Sequence, residues 1–142
     1  MMIVGSGPLR RAVVAGLVLT GGALAALPAQ ADRISGTVAE FTGLDKITGR
    51  IITFDVYINE TVQFGVLQIT PRVCYARTPD EPPRTDAFVE VDEITVERTI
   101  QRIFTGWMFA DSPALHAIEH AVYDVWLTDC KTASEVPPPA AP

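Results

Sequence analysis

His116, Glu119 and His120 are the residues whose types and spacing most directly suggest chemistry, because together they spell H-x-x-E-H, the inverted zincin pattern. On a helix, imidazoles at i and i+4 project from one face and can share a zinc ion. The adjacent carboxylate of Glu119 would then activate a bound water. These are the two histidines of the chain. A third ligand would have to come from Asp124, Asp129 or Glu135 downstream. The helix available is about two turns, and so small a domain has little room for a cleft with zinc at its base. The competing reading is a solvated polar face, and no metal or other cofactor is favoured.

A second set is aromatic: Phe104, Trp107, Phe109, Tyr123 and Trp126. Exposed together, such rings anchor a protein partner or stack on sugars. A β domain of this size also needs them as core filling. Trp107, beside Gly106, is the first choice for exposure, with Trp126 and Tyr123 as further partner or ligand contacts. A third set is acidic: Glu90, Asp92, Glu93 and Glu97. Alternation puts Glu90 and Asp92 on one strand face, but calcium needs six or more oxygens and a loop motif that is missing here. No phosphate-cradling glycine loop and no G-x-S-x-G elbow occurs, and Ser35, Ser112 and Ser134 have no recognisable base. No catalytic residue is assigned.

The elements that would position these groups follow from pattern and punctuation. Residues 1–31 read as a cleaved export signal: Arg10-Arg11, an apolar run over 12–27, Pro28, and a small-x-small site ending at Ala31. The apolar run is short for a membrane span. The expected mature protein therefore begins near Asp32, lies in the periplasm and does not span a membrane. From there on the chain holds nine basic and seventeen acidic residues, a net charge of −8. That balance argues against nucleic acid, and against docking on anionic lipid by charge. Cys74 and Cys130 lie fifty-six positions apart without a C-x-x-C motif. In an oxidising compartment they are expected to form one disulfide rather than a redox or metal pair. Closing that loop stabilises a fold by about 4 kcal/mol in the chain-entropy model.

Strand patterns occupy 38–47, 50–58, 62–64, 66–76, 87–95, 98–109 and 121–128, with turns at Thr48-Gly49 and Asn59-Glu60. Pro71 should sit at an edge or interruption, and the strand over 98–109 should bend near Gly106. Residues 78–86 are a Pro-rich loop. Asp111 or Ser112, followed by Pro113, predicts one short helix over 113–120. The expectation is an all-β domain over 32–131, a small barrel or sandwich, followed by a disordered Pro-rich tail over 132–142.

Residues 44–76 and 104–131, the latter with GWMFADSPAL and VYDVWLTDCK, resemble a secreted alphaproteobacterial family catalogued as domain of unknown function 2155. The resemblance implies a cell-envelope location and no catalytic activity. Members are often encoded near an accessory subunit of respiratory complex I. It therefore implies a structural or accessory role with a periplasmic or inner-membrane protein partner, respiratory complex I being the named guess. The alternatives carried beside it are a zinc-dependent hydrolase using His116, Glu119 and His120, and an envelope glycan-binding module using Trp107 or Trp126.

Overall fold

The clearest period-2 segment, Ile51–Tyr57, becomes a strand that turns Val56 fully inward and packs Ile52 and Phe54 against the core. The computed structural model describes residues 32–140, so the segment 1–31, read above as an expected export signal, lies outside the described residues. Eight strands follow in order: β1 Arg33–Ser35, β2 Val38–Asp45, β3 Ile51–Tyr57, β4 Val62–Phe64, β5 Leu67–Arg77, β6 Asp86–Ile94, β7 Ile100–Phe109 and β8 Tyr123–Lys131. All pairings are antiparallel. β1, β5, β6 and β7 run side by side in that order, and β4 joins the same flank of β5 as β1. The second sheet is β3-β2-β8.

The two sheets face one another as a sandwich, closing the choice between sandwich and barrel. Phe41, Val56, Val125 and Leu127 of the three-stranded sheet meet Leu67, Ile69, Cys74, Val89, Val91 and Met108 of the five-stranded one. The chain crosses between sheets at Gly36 and Thr37, whose amides donate to the carbonyls of Cys74 and Lys131. Beside that crossing Cys74 and Cys130 form a disulfide with Cα atoms 5.8 Å apart, tying β5 to β8 across the core. Of these two cysteines, Cys74 is fully buried.

Pro71 lies in the stretch of β5 between the residues paired with β4 and those paired with β1, and the β5–β6 register slips between Pro71 and Val73. The missing amide thus falls where the ladder is already interrupted. β7 departs from its expected bend. Its register slip against β6 falls at Ile103, between Arg102 and Phe104, rather than at Gly106.

Two further expectations are corrected. The helix is a single 3₁₀ turn, Pro113–Leu115, and does not reach His120. In the segment 113–122 only Ile118 is buried, so there is no apolar stripe to hold a longer helix, and one or two turns do not sustain themselves. The first part of the tail is not free. The Thr37 hydroxyl donates to Thr132 O at 2.9 Å, the Tyr57 hydroxyl to Val136 O at 2.6 Å, and the Ser134 hydroxyl to Asp55 Oδ2 at 2.5 Å. Residues 132–136 are therefore strapped to the three-stranded sheet.

Candidate functional site

The H-x-x-E-H residues point to different partners. His116 Nδ1 lies 2.6 Å from Trp107 O, and its ring tilts against Phe109. His120 Nδ1 accepts the amides of Val122 and Tyr123, both at 3.1 Å. Its Nε2 then carries the proton and donates to Glu93 Oε1 at 3.2 Å. Both ring nitrogens of His120 are committed to the fold, and without a helix the i, i+4 geometry does not exist. Among the described residues no group of three His, Cys, Asp or Glu could hold a metal ion. The zinc-hydrolase reading of His116, Glu119 and His120 is set aside on this geometry.

The predicted aromatic set is likewise dispersed. Tyr123 stands edge-on to Phe64 with ring centroids 5.5 Å apart, and lies over Gly65, where an added Cβ would run into the ring. It belongs to the core margin. Trp126 alternates with the inward Val125 and Leu127 and so faces out from β8. There it borders a hollow of about 280 Å³ shared with Pro113, Ala114, Ala117 and Ile118.

Trp107 lies on the outer face of the five-stranded sheet. There it meets two residues that the sequence reading did not place with it. Tyr75 stacks at 6.3 Å with an interplanar angle of 24°, and Phe88 stands edge-on at 5.6 Å. The guanidinium of Arg33 sits 5.5 Å above the Tyr75 ring. Register explains the grouping. The inward row Cys74–Ala87–Met108 is buried, so its neighbours Val73, Phe88 and Trp107 share the outer face, and Tyr75 is two residues on. The signal existed in part, since alternation already put Phe88 on the same face as Glu90 and Asp92. What it lacked was the strand register that carries Tyr75 and Trp107 to either side.

Along the same face the aromatics give way to an ionic ladder. Arg72 reaches Glu90 at 2.7 Å, and Arg102 reaches Glu90 at 3.2 Å and Asp92 at 2.5 Å. Hydrogen bonding to Asp92 holds the Arg102 guanidinium above its ordinary value. Of the four acidic residues singled out in the sequence, Glu90 and Asp92 are thus neutralised by arginines, while Glu93 faces His120.

A groove of about 700 Å³ lies between the three-stranded sheet and the strapped tail, bordered by Glu40, Asp55, Lys131 and Ser134. Lys131 bonds Glu40 and, at 2.9 Å, Asp55. Burial pushes the Asp55 carboxyl up, but the Ser134 hydroxyl and Lys131 outweigh it and hold the group below its usual range. Glu40 and Asp55 in turn raise the Lys131 ammonium well above the usual lysine value. A protonated lysine between two carboxylates is a clasp, with no free base to activate Ser134.

No helix among the described residues is long and apolar enough to cross a membrane. A family model described as "Uncharacterized protein conserved in bacteria (DUF2155)" matches residues 39–130. An uncharacterized protein of Rickettsia prowazekii (strain Madrid E) is 25% identical over 96 residues, covering 66% of this chain and 61% of the relative. The chain thus spans less than two thirds of that relative's length. No solved structure matches.

Proposed function

The chain belongs to the DUF2155 family of uncharacterized bacterial proteins, and from that premise we propose that it is a non-catalytic accessory protein that docks a protein partner in the cell envelope. The observation that carries this reading is the half-buried aromatic cluster of Tyr75, Phe88 and Trp107 on the outer face of the five-stranded sheet. Aromatic residues beside arginine are the composition of interface hot spots. A strand lattice stapled by a disulfide holds them in place without help from a ligand.

The proposed compartment is the periplasm, supported by the signal-like residues 1–31 and by the disulfide. The specific partner carried forward is the periplasmic side of respiratory complex I, which rests on the family association alone. A crosslinker placed at exposed Thr105, used in intact cells, tests both levels. We expect capture of an envelope protein, lost when Phe88→Ala and Trp107→Ala are combined. Capture that persists in the double variant sinks the aromatic face, and a partner outside the respiratory complex replaces the specific proposal. The glycan-binding alternative fits less well, because the Trp107 indole lies against Tyr75 and Phe88 rather than open for a sugar ring. Unchanged tryptophan fluorescence with peptidoglycan fragments is the outcome expected.

A further inference from the structure

Arg77, at the end of β5, holds the one exception in a well-satisfied set of buried polar side chains. Its Nη1 is buried without a hydrogen-bond partner, and no other buried side-chain nitrogen or oxygen among the described residues is in that state. Buried polar groups in folded proteins almost always have a partner. A guanidinium carries donors alone, so what is missing is an acceptor. The position adds a second mismatch. Arg33 stands directly opposite Arg77 in the β1–β5 ladder, and like charges so placed repel. Arg33 finds a partner in the Tyr75 ring, whereas Arg77 enters no ion pair among the described residues.

Arg77 lines a hollow of about 500 Å³ together with Glu81, Pro82, Pro83, Arg84 and Asp111. Its walls come from the loop over 78–85 and from the residues just past β7, which Ala110 N ties to the loop by donating to Thr85 O. Thr78, Glu81 and Pro82 each precede a proline, so the loop backbone is held extended and resists folding down onto Arg77. Two guanidiniums and two carboxylates thus share one hollow, yet none of the four enters an ion pair. Asp86, buried at the start of β6, pairs with neither arginine. Elsewhere Lys46, Arg72, Arg102 and Lys131 each hold a carboxylate.

We infer that this hollow binds a small zwitterion of the α-amino acid class, its carboxylate taken by Arg77 and Arg84 and its ammonium by Glu81 and Asp111. A plain anion would meet two carboxylates here, and a plain cation two guanidiniums. A ligand with both charges answers each, and a carboxylate matches the planar fork of a guanidinium. Two backbone hydrogen bonds tie the loop among the described residues, Glu81 N to Thr78 O and Ala110 N to Thr85 O. A segment so lightly held can shift to let a carboxylate reach the enclosed Nη1. The inference uses none of the aromatic rings and stands apart from the docking proposal.

The test uses the full chain and free L-amino acids, screened singly at about 10 mM for the rise in Tm that binding to the folded state produces. At least one should raise Tm and bind saturably by calorimetry. Its N-acetyl and carboxamide forms should each bind at least tenfold more weakly. Arg84→Gln and Glu81→Gln, both on the loop, should weaken binding to a similar degree without lowering the ligand-free Tm. Arg77→Met should abolish binding yet leave the ligand-free Tm equal or higher, because it removes an orphaned donor and a like-charge neighbour. The inference fails if no amino acid binds, if either blocked form binds as tightly, or if either loop variant binds as well as wild type. A lower ligand-free Tm in Arg77→Met overturns it too, since Arg77 would then be a structural residue.

Discussion

His120 shows how a residue suited to catalysis can be wholly occupied in structure. Its Nδ1 caps two amides of the approach to β8, and its Nε2 is spent on Glu93. His120→Ala should cost about 1–3 kcal/mol, the usual penalty for orphaned polar partners, in a denaturant titration. Tag-free wild-type protein should retain no stoichiometric zinc after dialysis, as read by elemental analysis. The Asp55–Lys131–Ser134 clasp makes a pH prediction. Asp55 is held low, so its contribution is present above the ordinary aspartate range and lost as pH falls through its lowered value. Lys131 is held high, so its contribution is present below the ordinary lysine value and fades only above it. The clasp should therefore contribute evenly from roughly pH 5 to 10. Asp55→Asn should lower the denaturation midpoint at pH 7, and the gap to wild type should narrow by pH 3.

Among elements, the strands were legible because alternation needs only the local sequence. Ile52, Phe54 and Val56 fall on one side whatever the partner strand, and Thr48-Gly49 and Asn59 supply the turns, the last with a positive φ of 67°. The helix was misread because capping residues mark where a helix can start, not whether an apolar face exists to keep it. Leu115, the obvious anchor, is 66% exposed. The aromatic face depended on registers among β5, β6 and β7, which arise from long-range pairing and a bulge at Ile103. The tail was composed like a linker, yet Ser134 and the Val136 carbonyl found partners on β3. One element-scale constraint was invisible in sequence. Gly43 of β2 lies under the Phe64 ring, where an added Cβ would come within 2.7 Å. Gly43→Ala should destabilise by about 1–3 kcal/mol, the cost of overpacking, measurable by chemical denaturation.

At the scale of the whole molecule, the disulfide and the position of β8 act together. Replacing both Cys74 and Cys130 by alanine should cost about 2–5 kcal/mol, read as a lower Tm that no longer responds to reductant. The strand that the disulfide fastens is also the last in order among the described residues. β8 supplies Val125 and Leu127 to the core and lies beside β2, pairing Lys131 with Val38 and Tyr123 with Asp45. The first long strand of the domain therefore waits for the final one before its sheet is complete. Pairings between such distant segments form slowly, because a long loop must close before any contact rewards it. A chain in which β8 has not yet docked lacks the piece that shuts its core. This topology works as a latch: the sandwich closes only once β8 has met β2 and the disulfide has fastened it to β5.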